Sequence, residues 1–138
     1  MGYYTDYEIE VKRVVNGVIK DVQKLKPLEP LAMTEMTKEE FVEYMLINNM
    51  FVDLQAILKD NLEGCDEEFT GNGKWYDYNE DISELARKHP GFIFIVSGEG
   101  EESGDIWKHY FSDKSDEKVE AQIVIPEIDL TEFSKRVE

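Results

Sequence analysis

From Tyr3 onward the chain alternates: Tyr3, Thr5, Tyr7, Ile9 and Val11 interleave with Tyr4, Asp6, Glu8 and Glu10. A period of two puts successive side chains on opposite faces of a strand, so this stretch predicts a strand with one packed side and one wet, largely acidic side. Val14-Val15-Asn16-Gly17-Val18-Ile19 sets an Asn-Gly turn signal between apolar pairs and predicts a hairpin. Pro27 and Pro30 then predict an extended connection. The period changes at Thr37-Lys38-Glu39-Glu40, where a hydroxyl followed by a carboxylate three residues later marks a helix start. Phe41, Tyr44 and Met45 follow at helical spacing as far as Asn48-Asn49. A second helical pattern runs from Met50 to Leu62 through Phe51, Leu54, Ile57 and Leu58, so an αα pair over one sheet face is expected.

Residues 63–73 turn polar and acidic, with glycines at 64, 71 and 73. Lys74-Trp75-Tyr76 predicts a short strand, and Asp77 caps a helix with Tyr78, Ile82, Leu85 and Ala86 on its apolar side, ending at His89-Pro90-Gly91. Phe92-Ile93-Phe94-Ile95-Val96 is a continuous apolar run and predicts a strand buried on both faces. A loop from Gly98 to Gly104 leads to a strand at Asp105 to Phe111, whose two sides both carry aromatics. Val119, Ala121, Ile123 and Ile125 predict a last, half-buried strand closed by Pro126, and Ile128, Leu130, Phe133 and Val137 a short docked helix begun at Asp129 or Thr131. Consecutive strands with tight turns must pair antiparallel. The expected fold is therefore one α+β domain over residues 1–138, a mostly antiparallel sheet of about five strands with helices on one face, related to the ferredoxin-like layout with an added meander.

Charge changes this picture more than composition does. The 138 residues carry 31 acids against 15 bases, a net charge of −16. Such a surface repels nucleic-acid phosphates and anionic membranes and attracts basic proteins. Ten of those net charges fall in residues 60–105, which hold 13 acids and 3 bases. Against this, Lys12, Arg13, Lys20, Lys24 and Lys26 with Asp21 alone give residues 12–26 a net +4, a ribbon in solvent or a docking patch for the acidic face of a second copy in a homodimer. The single cysteine, Cys65, excludes an intrachain disulfide and fits a reducing compartment. No secretion signal and no apolar run of membrane-spanning length is visible, so a cytoplasmic protein is expected.

Lys74-Trp75-Tyr76-Asp77, Glu80-Asp81-Ile82, the run Gly98-Glu99-Gly100-Glu101-Glu102-Ser103-Gly104-Asp105-Ile106-Trp107, and Tyr110-Phe111 together resemble a family of small, mostly uncharacterised proteins of bacteriophages and mobile elements. The resemblance covers the C-terminal half. It implies an accessory protein acting in the cytoplasm of a bacterial host, and supplies no catalytic residues.

Chemistry read from the residues is sparse. The glycine spacing Gly98-x-Gly100-x-x-x-Gly104 misses both dinucleotide and Walker patterns, and Glu99, Glu101 and Glu102 would repel a phosphate. The same acids lack the regular ladder of a calcium loop. Cys65 with His89 or His109 could form a thiolate-imidazole dyad, but Asp66-Glu67-Glu68 beside it opposes thiolate formation. Trp75 and Trp107 read as packing residues. No cofactor and no metal is expected. The residues singled out for binding are carboxylates, Asp66, Glu67, Glu68, Glu80, Asp81, Glu84, Glu99, Glu101, Glu102 and Asp105, as a nucleic-acid-like surface for a basic host protein. The target class would be a defence effector of CRISPR or restriction type. The alternative is a small enzyme or ligand-binding domain using the open face of the sheet.

Overall fold

A computed structural model describes residues 3–23, 27–65 and 69–137. Alternation at the start becomes β1 (Thr5–Val15), which turns at Asn16-Gly17 into β2 (Val18–Asp21), with Val15 opposite Val18. Asn16 and Gly17 both have positive φ, 51° and 77°, as a two-residue turn between right-twisted strands requires. Pro30 does not extend the chain. It sits at the first turn of a short helix, α1 (Pro30–Glu35), where its missing N–H has no partner to lose.

The expected αα pair is one continuous helix, α2 (Lys38–Asn61), capped by the Thr37 hydroxyl accepting from the Glu40 N–H at 3.1 Å. Asn48-Asn49 does not break it, because asparagine is only a mediocre helix former and neither glycine nor proline interrupts the ladder. Its fully buried side chains, Met50, Phe51, Leu54 and Leu58, all lie in its second half. The expected strand at Lys74–Tyr76 is absent. The pairing is made just before it by β3 (Thr70–Gly73), whose glycines let it pass close to Leu62 and the Glu63 carbonyl. Phe69 leads into β3 with a left-handed φ of 57°, held by stacking on Phe51 at 5.4 Å. Helix α3 (Tyr78–Lys88) follows, with Ile82, Leu85 and Ala86 buried.

The C-terminal meander is β4 (Phe92–Gly100), β5 (Ile106–Phe111) and β6 (Asp116–Glu120). All pairings are antiparallel, in the order β2-β1-β4-β5-β6, with β3 pairing β1 on the same side as β2. This is an α+β fold with six strands among the described residues, one more than expected because the hairpin and β3 share one edge of β1. The core lies between this sheet and α2 with α3. It takes Tyr7, Ile9 and Val11 from β1, Phe92, Phe94 and Val96 from β4, and Trp107 and Phe111 from β5. The opposite face is open: Ile95 is buried, Ile93 half-buried, and Ile106, Tyr110 and Val119 are exposed. Two further expectations fail at the C-terminal side. The last strand ends at Glu120 instead of running through Ile125, and Ile128, Leu130, Phe133 and Val137 do not dock. A short helix, α4 (Leu130–Ser134), does form there, capped by Asp129 accepting from the Thr131 and Glu132 N–H groups.

Candidate functional site

The turn between β4 and β5 is shorter than the loop expected from Gly98 to Gly104, since β4 continues to Gly100 and the Gly100 N–H reaches the Asp105 carbonyl at 2.8 Å. Only Gly104 of its three glycines has a positive φ, +84°. Gly98 and Gly100 are glycines for lack of room: a Cβ at Gly98 would enter the Trp107 ring, and one at Gly100 would meet the Asp105 carboxylate and the Tyr3 phenol. The turn is tied to the start of β1. The Tyr3 hydroxyl donates to Asp105 Oδ2 at 2.7 Å and accepts from the Glu102 N–H at 2.8 Å, while the Tyr4 N–H donates to Glu101 Oε1 at 3.2 Å. The bond to Asp105 pushes the Tyr3 pKa up. Asp105 and Glu101 therefore hold the turn against the start of β1. Tyr76 accepts from the Tyr3 N–H at 3.1 Å, and Lys74 lies over the Tyr4 ring at 4.7 Å. The result is an exposed cluster of Glu101 and Glu102 with Tyr4 and Tyr76.

Glu99 belongs to a neighbouring feature. It stands on the open face of the sheet, where the register puts it directly opposite Asp6. These two carboxylates, with Glu8 and Glu63, line a groove of about 540 Å³ across β3, β1, β4 and β5, together with Thr70, Asn72 and Lys108. Asp6 is held there by Asn72, whose Nδ2 donates to its Oδ1 at 2.7 Å. Asp6 and Glu8 are legible in the sequence only as a wet acidic row, because nothing local says which strand that row will lie against.

The helix acids divide. Glu80 and Glu84 are exposed on α3, but the Asp81 carboxylate accepts from the Trp75 indole at 2.7 Å, so it serves the core. Asp81 and Glu84 line the cleft between α2 and α3 with Asp53 and Lys88, on the helical layer and away from the open sheet face. Asp66, Glu67 and Glu68 lie outside the described residues. Among the described residues the sequence-predicted carboxylates thus fall into two groups: the sheet-end cluster and the groove are contiguous through Glu99, and the helix acids lie in another layer.

Both histidines are engaged with carboxylates. His109, buried beneath α3, meets the Tyr78 hydroxyl through Nδ1 at 3.1 Å and Asp116 through Nε2 at 2.6 Å, linking α3, β5 and β6. Burial pushes the Tyr78 pKa up to about 12. His89 Nε2 lies 2.7 Å from Asp53 on α2. The His109 half of the dyad considered with Cys65 has both ring nitrogens occupied by these partners. Among the described residues no group of three or more His, Cys, Asp or Glu side chains is placed to hold a metal, and no helix is long and apolar enough to cross a membrane. Comparison of the chain with protein-family models, curated proteins and solved structures returned no match.

Proposed function

We propose that this chain is a non-enzymatic accessory protein that binds a basic, nucleic-acid-binding protein of a bacterial host, as a carboxylate surface standing in for a phosphate backbone. The observation that carries the reading is the acid-lined groove and its rim. Asp6, Glu8, Glu63 and Glu99 converge with one lysine, and Glu101 and Glu102 continue the row beside exposed Tyr4 and Tyr76. Tyrosine beside carboxylates suits arginine- and lysine-rich surfaces, since the ring faces attract cations and the acids pair with them. Like charges directly across a strand pair, as Asp6 and Glu99 are, work against folding, which favours a role in recognition. The resemblance to phage and mobile-element proteins suggests a defence effector of CRISPR or restriction type as the target. Its compartment would then be the host cytoplasm.

The test is capture from a bacterial lysate at low and at raised salt, with DNA as competitor. A basic nucleic-acid-binding protein should be retained at low salt, released as salt rises because exposed charges are screened over ~10 Å at 0.1 M, and displaced by DNA. Recovery of no such protein, or an affinity flat with salt, overturns the reading. The groove also favours a second reading, a small ligand-binding domain, because its volume falls in the range of small-molecule sites. That reading requires a small organic cation to raise the melting temperature of the protein by itself.

A further inference from the structure

The open face of the sheet extends well past the acid-lined groove. The register sets Glu8, Ser97, Lys108 and Val119 in one row across it and Glu10, Ile95, Tyr110 and Glu117 in the next. Its columns differ in character: β1 presents a rail of Asp6, Glu8 and Glu10, whereas β4 and β5 present Ile93, Ile95, Ile106 and Tyr110. Ile95 is buried yet takes no part in the core, and Ile106, Tyr110 and Val119 are exposed. The helices with buried side chains, α2 and α3, both pack on the other face. A depression lies at each end of this trough. One is the groove beside Ile106, and the second, of about 290 Å³, is lined by Ile93, Tyr110 and Glu117 with Ser112 and Ser115 of the next turn. From Ile93 to Glu99 the trough runs about 20 Å at ~3.3 Å per strand residue, the length of about 13 helical residues at ~1.5 Å each.

Charge says what fits there. Glu8, Glu99 and Glu117 have no hydrogen bond or ion pair among the described residues, and Glu10 has only Lys12 at 3.9 Å, which is itself held by Asp21. Unpaired carboxylates along one side of an apolar trough repel nucleic acid, an anionic membrane and the same face of a second copy, and attract a cationic partner. Residues 121–134 of the chain itself are apolar but carry Glu127, Asp129 and Glu132 and no base, so the rail disfavours them as occupant. A sheet face, unlike a sheet edge, offers no unpaired backbone groups. Its occupant must therefore satisfy its own, which a helix does and an extended peptide does not.

We infer that the open face is the seat of a basic amphipathic helix of the partner protein, an inference that rests on the reading of that partner as basic. The helix lies along β1 and β4, its apolar side in the trough over Ile95, Ile106 and Tyr110 and its basic flank on the rail. The rail's carboxylates stand about 6.7 Å apart along β1, close to the ~6 Å rise between residues four apart on a helix.

The experiment is fluorescence anisotropy of the full chain with two labelled synthetic peptides of about fourteen residues and identical leucine, alanine and arginine content. One places its leucines on a single helical face with arginines along the flank; the other carries the same residues shuffled to have no face. The amphipathic peptide should bind about tenfold tighter than the shuffled one and gain helical circular dichroism on binding. Ile106→Gln with Val119→Gln, and separately Glu8→Gln with Glu10→Gln, should each weaken it several-fold. Ile106, Val119 and Glu8 are exposed and Glu10 is half-buried, so both variants should keep the parent's fold. No binding of the amphipathic peptide, binding without helix gain, or equal binding of the two peptides overturns the inference. Equal binding that still weakens with salt and with the Glu8 and Glu10 exchange would leave the basic-partner reading standing on charge alone, whereas binding flat with salt would overturn that reading too.

Discussion

Gly98 shows how one residue can be misread from local pattern. Three glycines in seven residues suggest a flexible tip, yet Gly98 is buried in β4 and is small because the Trp107 ring fills the space its side chain would need. Trp107 in turn stacks on Tyr78 at 4.8 Å and lies edge-on to Tyr7. Gly98→Ala should therefore destabilise the fold by ~1–3 kcal/mol through overpacking, and Trp107→Ala by ~3–5 kcal/mol through the cavity it leaves. Urea denaturation of the two variants checks both. Gly104→Ala has a different origin, since its Cβ meets only ordinary contact with Ile123 and its strain comes from the φ of +84°. Asp81→Ala should also lower stability, because it leaves the buried Trp75 indole N–H without its acceptor.

At the scale of elements, α2 is a helix with two different halves. The second is fixed by Met50, Phe51, Leu54 and Leu58. The first is tied to β1 by the fork of Arg13, which donates to both Glu43 oxygens at 2.6 and 3.0 Å and to the Gly91 carbonyl at 2.9 Å, with its guanidinium 4.7 Å from the Phe92 ring centroid. The Arg13 bond holds the Glu43 carboxyl below its ordinary value of 4.5. A depressed carboxylate contributes stability that is present above the unfolded value and lost as pH falls through the folded one. Glu43→Gln should thus be less stable than the parent at neutral pH, with the difference vanishing as pH drops below 4.5. Thermal melts of the pair from neutral to acid pH measure this; a gap that stays constant would mean the fork acts by shape alone.

For the whole molecule, the dominant quantity is a net charge of −16 on 138 residues. Exchange of Glu99, Glu101 and Glu102 for Gln relieves the opposition of Glu99 to Asp6, and the new amide at position 101 keeps an oxygen to accept the Tyr4 N–H. The melting temperature of this triple variant should be unchanged or slightly raised, and its association with a basic partner slower, with the larger change in the on-rate. Calorimetry and stopped-flow binding read the two effects separately. A variant that associates like the parent would remove the sheet end from the interface and leave the acids of α3.

What the sequence determined by itself is what depends on neighbours along the chain. The period of two over Tyr3–Val11, the Asn16-Gly17 turn, the Thr37 cap and the apolar run at Phe92–Val96 each follow from local sterics and amphipathic pattern, and each stands in the structure. The α+β class and the antiparallel meander follow from their order. Tertiary structure decided what depends on which surfaces meet. Thr70–Gly73, too weak to read as a strand, became one because β1 offered a free edge, whereas Val119–Ile125, a good strand by pattern, stopped at Glu120. The groove needed the register that sets Asp6 against Glu99, and the Tyr3–Asp105, Tyr78–His109 and Trp75–Asp81 bonds needed the sheet and helices in place. Local pattern limits the conformations open to a segment, but long-range pairing energy selects among them, and only the folded chain supplies it.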